Sequence, residues 1–188
     1  MAPVASRLIV GVSGTRGPGL GLAVLRALRG IPGVESHLVV AATGPAPDDF
    51  ATLADVTYAP GDLGAAISSG SFRTAGMVIA PCSLATVAAI AAGNSADLVT
   101  RAADVCLKER RPLVLVPDES PWSRADLQHL ETITLAGGTI LPPVPAFYHQ
   151  PDTTGDLLRH TAGKILDQFG LDHDLFTRWV GGDDDDAG

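Results

Sequence analysis

Leu8-Ile9-Val10-Gly11-Val12-Ser13-Gly14-Thr15-Arg16-Gly17 passes directly from an apolar run into a turn punctuated by glycine. A continuous apolar run bounded in this way fits a strand buried on both faces, and such strands belong to parallel sheets covered by helices on each side. Beyond the turn, Leu20, Ala23, Val24, Ala27 and Leu28 keep the i, i+3, i+4, i+7, i+8 spacing of a helix with one apolar face, while Arg26 and Arg29 fall on the other. Val34 to Ala41 reads as a second strand and closes a βαβ unit.

The alternation continues along the chain. Thr43 to Phe50 holds two prolines and two aspartates, so only a short helix fits before Val56-Thr57-Tyr58. Gly76 to Ala80 reads as a strand, Ser83 to Ala92 and Asp97 to Arg110 as helices, and Pro112 to Val116 as a strand. Ser123 to Leu135 reads as a helix with Ser123 and Asp126 in capping positions, Gly138 to Leu141 as the last strand, and Asp152 to Phe169 as the closing helix. Pro142-Pro143-Val144-Pro145 is a rigid extended segment. The expected fold is α/β: a three-layer, Rossmann-like or flavodoxin-like, doubly wound parallel sheet, with ligands outside the carboxyl ends of its strands. One domain is expected over residues 1–180, with an acidic, disordered tail over 181–188.

Composition narrows the function. A chain of 188 residues with 46% hydrophobic content suffices for one well-packed core. No apolar run approaches the roughly 20 residues that span a bilayer, and Met1 to Ser6 lack a basic start and a hydrophobic signal region, so a cytoplasmic location away from membranes is expected. Cys82 and Cys106 are too few to staple the fold and form no C-x-x-C pair, so reduced thiols and no metal site are expected. A net charge of −8, part of it from Asp183 to Asp186, argues against nucleic acid as a partner.

Two turns at one edge of the sheet offer backbone N–H groups and small hydroxyls where a helix begins: Gly11-Val12-Ser13-Gly14-Thr15-Arg16-Gly17 and Ala80-Pro81-Cys82-Ser83. Such turns suit a phosphate. The first lacks full G-x-G-x-x-G spacing, and Ser83 also reads as a plain helix cap. Arg101 and Lys108, seven apart, share a helical face with Asp97 and Asp104, which also describes a solvated salt-bridge face. Glu119 follows a strand at the carboxyl edge, where catalytic groups gather. Tyr148 stands on a proline-rich arm that suits either a neighbouring subunit or the chain's own surface. Lys164 reads as a surface lysine, and Trp179 with Phe176 as an apolar anchor.

Six strings change these readings: Arg7-Leu-Ile-Val-Gly-Val-Ser-Gly14, Ile67-Ser-Ser-Gly-Ser-Phe72, Pro81-Cys-Ser83, Thr100-Arg-Ala-Ala-Asp-Val105, Leu107-Lys-Glu-Arg-Arg-Pro-Leu-Val-Leu115 and Pro142-Pro-Val-Pro-Ala-Phe-Tyr-His149. In this order, and spanning nearly the whole chain, they resemble the flavin prenyltransferase family of the UbiX type. The resemblance implies a metal-independent enzyme that joins a dimethylallyl group from dimethylallyl monophosphate to N5 and C6 of reduced FMN. Its product is the prenylated FMN used by UbiD-type decarboxylases. It also implies a homo-oligomer, a dodecamer in most relatives, with sites between subunits. By resemblance, Ser13, Gly14, Thr15, Arg16, Ala41, Ser83, Leu84, Ala85, Thr86 and Asp118 stand at FMN-binding positions. Tyr148, Lys164 and Trp179 would bind the prenyl phosphate, and Glu119, Lys108 and Arg101 would be catalytic. Departure of phosphate from an allylic carbon leaves a cation beside an anion, so phosphate clamps and apolar or π surfaces are both needed. Closing the new ring moves protons, for which Glu119 is the natural acid and base.

This chain departs from the family at four places. The usual Gly-Ala-Ser-Gly turn is Gly14-Thr15-Arg16-Gly17, a Ser-Lys pair is Ala41-Ala42, a lysine is Ala85, and an arginine is Asp118. These changes motivate a second reading, a non-catalytic or weakly FMN-binding accessory subunit of a decarboxylase system. A peptidyl-cysteine decarboxylase is a third, but the Pro-Ala-Ser-Ala-Asn-Thr string associated with that branch is absent.

Overall fold

The computed structural model describes residues 6–45, 48–148 and 150–179, so the acidic stretch over 181–188 lies outside the described residues. Its framework is a six-stranded, all-parallel sheet of β1 (Ser6–Val12), β2 (Val34–Val40), β3 (Val56–Tyr58), β4 (Gly76–Cys82), β5 (Leu113–Pro117) and β6 (Thr139–Ile140). The spatial order is β3-β2-β1-β4-β5-β6, so the winding reverses between β1 and β4. That reversal is the topological switch point at which such sheets open a crevice for ligands.

Alternating side chains of each strand feed two cores. On one face Leu8, Val10, Val12, Val78 and Val114 meet α1 (Pro18–Arg29), the short α2 (Asp48–Ala51) through Phe50, and α6 (Thr154–Asp167). On the other, Ile9, Met77, Ile79, Leu113 and Leu115 meet α3 (Leu84–Ala91), α4 (Leu98–Lys108) and α5 (Arg124–Leu135). In α1, Gly19 and Gly21 each cost about 1 kcal/mol relative to alanine. Burial of Leu20, Val24, Leu25 and Leu28 contributes about 1.5–3 kcal/mol each, so packing rather than propensity holds this helix. Gly21 is also needed for fit: a Cβ there would lie 2.6 Å from the Ala80 carbonyl and 2.9 Å from the Phe50 ring. This close approach of α1 to β4 sets the first turn beside the second.

Most element ends shift by one or two residues from the sequence reading, and two of these shifts have a clear local cause or partner. The last strand contracts to Thr139–Ile140, although the Leu141 N–H still reaches the Leu115 carbonyl at 2.9 Å. Pro142 has no N–H with which to extend the ladder. Ala41 lies just beyond β2 and bonds the Val12 carbonyl at 2.8 Å. Among the described residues no helix is long and apolar enough to cross a membrane.

The fold also contains two acid-sensitive groups at β2: His37 on the strand, and Asp55, which binds Ser36 of the strand. His37 is buried, its Nδ1 lies 2.9 Å from the Tyr58 hydroxyl, and its Nε2 faces Glu35 at 3.5 Å. Burial lowers its pKa from 6.5, Glu35 and Asp55 offset part of that, and Arg7 adds to it. Asp55 accepts both the Ser36 N–H and hydroxyl at 2.8 Å, and those bonds hold its pKa below 3.8. Both groups bind protons more readily in the unfolded chain, so stability is full above the unfolded pKa and falls on acidification. The urea midpoint should therefore decline as pH drops below about 6.5, and decline again below the ordinary Asp range. His37→Gln should flatten the first phase; a wild-type midpoint unchanged between neutrality and pH 5 would contradict this account.

Candidate functional site

The switch point is built from the ends of β1, β4 and β5. After β1, the N–H groups of Ser13 and Gly14 both donate to the Pro81 carbonyl, at 3.0 and 3.1 Å. The buried Ser13 hydroxyl accepts the Ser83 N–H at 3.2 Å, which ties the first turn to the second. Ser83 then caps α3: its hydroxyl accepts the Thr86 N–H at 3.2 Å and lies 3.0 Å from the Thr86 hydroxyl. The capping expected from sequence is present, and it shapes the rim of the crevice.

Two carboxylates follow β5 and engage these turns. Glu119 Oε1 accepts the Leu84 N–H at 2.9 Å, at the start of α3, where unpaired backbone donors and the helix dipole favour a negative charge. Asp118 Oδ2 accepts the Arg16 N–H at 3.1 Å, and its own N–H reaches the Cys82 carbonyl at 3.2 Å. The Asp118 carboxylate occupies the space where a side chain at position 14 would stand, so a larger residue there would have to displace that carboxylate. The first turn, read from sequence as a seat for phosphate, thus gives one of its N–H donors to the chain's own Asp118.

A cavity of about 630 Å³ opens above, lined by Arg16, Gly17, Pro117 to Ser120, Trp122 and Pro142 to Pro145. Its volume lies within the range of about 300–1,000 Å³ common for cofactor pockets. Trp122 is fixed by donation of its indole N–H to the Glu119 carbonyl at 2.7 Å. Arg16 is the one cation among the lining residues, which also include the carboxylates Asp118 and Glu119. Thr15 and Ala85 are exposed, and Thr86 is half-buried at the first turn of α3. Ala41 lines a separate cleft of about 550 Å³ with Ala42, Gly44 and Tyr58, where positions 41 and 42 offer no side-chain donor. The Cys82 thiol is buried and its pKa is pushed far upward, and burial pushes Cys106 up to about 12, so both stay protonated at neutral pH. Among the described residues no group of three or more His, Cys, Asp or Glu could hold a metal ion.

The other predicted residues lie elsewhere on the chain. Arg101 and Lys108 do share one face of α4, with Asp104 between them at 3.5 and 2.6 Å, and Arg101 Nε also donates to the Ser68 carbonyl at 3.2 Å. These partners, on α4 and in the segment before β4, do not include Glu119. Tyr148 and Trp179 come together, rings edge to face at 6.0 Å, and both are exposed, as are Val144 and Phe147. Lys164 lies on α6 with its Nζ 3.7 Å from Asp167. Sequence reasoning missed His160, which is buried one turn before Lys164 and whose Nε2 lies 3.1 Å from the Tyr148 hydroxyl. A lone histidine within an amphipathic helix gives no signal apart from its i, i+4 spacing to Lys164. Trp122 was missed too, since a tryptophan beside a proline reads as ordinary packing.

The profile of the flavoprotein family matches residues 60–165. The chain is 47% identical over 184 residues to a probable UbiX-like flavin prenyltransferase of Escherichia coli O157:H7, covering 93% of each chain. It is 48% identical over 182 residues to the flavin prenyltransferase UbiX of Deinococcus radiodurans, covering 92% of this chain and 93% of that one. Among solved structures, a dodecameric FMN-dependent UbiX-like decarboxylase from Escherichia coli O157:H7 superimposes with a TM-score of 0.89 at 47% identity, over 93% of this chain and all of that one. AnUbiX (PadA1), solved in complex with FMN and dimethylallyl pyrophosphate, gives 0.90 at 43% identity, over 95% and 99%. The FMN-dependent cysteine decarboxylase SpaF, at 19% identity and a TM-score of 0.64, shares the fold alone.

Proposed function

From the premise that this chain belongs to the UbiX-type flavin prenyltransferases, a branch of the flavoproteins, we propose that it joins a dimethylallyl group from dimethylallyl monophosphate to reduced FMN without a metal ion. The observation that carries this reading is the seating of Glu119 at the start of α3, beside a cavity that holds one cation and one tryptophan. Trp122 and the proline wall suit a flat ring, while Arg16, Ser13, Ser83 and Thr86 are the groups available to a flavin and its phosphate. Reduced FMN supplies the nucleophilic N5 and C6. Glu119, kept in place by the Leu84 N–H, is the group on this chain that accepts and returns protons during ring closure. Tyr148 and Lys164 bind the departing phosphate, with Trp179 presenting a π face to the allylic carbon.

Arg101 and Lys108 have their roles in the assembly. In a homododecamer, their face on α4 contributes cations to the site of an adjacent copy, and the exposed Phe147, Tyr148 and Trp179 reach a neighbour. Cytoplasmic residence suits two unpaired, buried thiols. The product serves a UbiD-type decarboxylase. A coupled assay tests this: the protein incubated with reduced FMN and dimethylallyl monophosphate should activate a separately purified apo-decarboxylase of the UbiD type. Failure to activate it, while a characterised UbiX does so in parallel, would overturn the assignment.

One observation favours a second reading. The Asp118 carboxylate holds a first-turn N–H, and positions 41 and 85 are alanines, as in a relative that has lost tight flavin binding and persists as an accessory subunit. An FMN dissociation constant in the micromolar range or tighter excludes that role.

A further inference from the structure

Residues 171–179 fold back along α6 and are tied there by one carboxylate. Asp167 accepts both guanidinium nitrogens of Arg178, Nη2 to Oδ1 at 2.8 Å and Nη1 to Oδ2 at 3.3 Å, and faces His173 Nε2 at 3.2 Å. Lys164, one turn earlier, stands at 3.7 Å from the same carboxylate, the longest of these contacts. A two-pronged arginine–carboxylate pair fixes orientation as well as charge. Gly163 allows the close approach: a Cβ there would lie 2.7 Å from His173 Cε1 and 2.8 Å from Phe176 Cδ1. From this clasp an aromatic chain leads outward, Phe176 against His160 at 4.5 Å, His160 to the Tyr148 hydroxyl, and Trp179, next after Arg178, against Tyr148.

We propose that the Arg178–Asp167 clasp is a positioning device for the prenyl-phosphate site, keeping Lys164 available to phosphate and Trp179 beside Tyr148. The inference rests on the reading of Tyr148, Lys164 and Trp179 as that site. Two physical effects act together. Arg178 satisfies and neutralises Asp167, which would otherwise draw Lys164 into a close pair and repel an incoming phosphate. It also anchors the residue next to Trp179, so the order of the indole is imposed by the fork and not recruited from the substrate.

Steady-state kinetics of Arg178→Gln test this. The KM for dimethylallyl monophosphate should rise about tenfold, the loss expected for one charge-assisted bond, with kcat within about threefold and FMN affinity unchanged. Arg178→Lys keeps the charge but loses the fork, and should give an intermediate KM; this variant answers the question should the glutamine protein fail to fold. If both variants keep the wild-type KM while Lys164→Gln or Trp179→Ala raises it, the clasp has no positioning role. If Lys164→Gln and Trp179→Ala themselves leave KM unchanged, the site reading fails instead. A fall in kcat and FMN affinity together would reduce Arg178 to general structural support and overturn the proposal.

Discussion

Glu119→Gln should slow formation of prenylated flavin by at least about 100-fold, the lower bound expected when a positioned acid and base is removed, while leaving the fold and FMN binding in place. The substitution keeps shape and leaves an oxygen to accept the Leu84 N–H, which Glu119 Oε1 receives at 2.9 Å. What it removes is the ability to take up and release a proton beside the cavity. Single-turnover reactions with reduced FMN and dimethylallyl monophosphate measure the effect without interference from product release. Glu119→Ala should be similarly slow but also less stable, because the start of α3 then loses an acceptor, at a cost of about 1–3 kcal/mol. A glutamine variant within fivefold of the wild type would remove Glu119 from the chemistry.

The second large effect concerns flavin selectivity. Arg16→Ala should weaken FMN binding by about 10- to 100-fold, the range for losing a charge-assisted contact to phosphate, and should leave riboflavin binding nearly unchanged. Arg16 is the one cation lining a cavity that also carries Asp118 and Glu119, so in an acidic chain it is the side chain placed to attract a phosphate there. Asp118→Asn should act in the opposite direction. The amide retains an oxygen for the Arg16 N–H, now donated to Asp118 Oδ2 at 3.1 Å, and removes a negative charge from the site. FMN should bind more tightly to that variant, and the gain should shrink as salt is raised. Equal responses of FMN and riboflavin to either substitution would place Arg16 and Asp118 outside the phosphate's environment.

The fold was legible because its signals are local. The apolar run at Leu8, the helical spacing from Leu20 to Leu28 and the alternation that follows specify each element separately, and short connections leave a doubly wound parallel sheet as their natural assembly. The shortened last strand was less legible, since where a ladder stops depends on its partner and on Pro142. At the site, Glu119 could be placed at the carboxyl edge from its position after a strand. Its bond to the Leu84 N–H, 35 residues away, could not. Nor could the contact between Asp118 and the Arg16 N–H, which spans 102 residues and exists only because β1 and β5 flank β4. The shared face of Arg101 and Lys108 followed from spacing alone, and their contacts among the described residues, to Asp104 and the Ser68 carbonyl, do not involve Glu119. Apart from the i, i+4 spacing of His160 to Lys164, His160 and Arg178 carry no sequence signal, because each takes its meaning from contacts made by the folded chain.

The claim beneath all of this is that the crevice at the switch point, despite Asp118, Ala41 and Ala85, accommodates a reduced flavin beside an allylic phosphate. Anaerobic incubation of the assembled protein with reduced FMN and dimethylallyl monophosphate, followed by mass analysis of the released flavin, tests it most directly. A flavin heavier by one five-carbon prenyl unit, formed by the wild type and lost with Glu119→Gln, is the predicted result. Unmodified FMN recovered from a folded, fully assembled sample would contradict it.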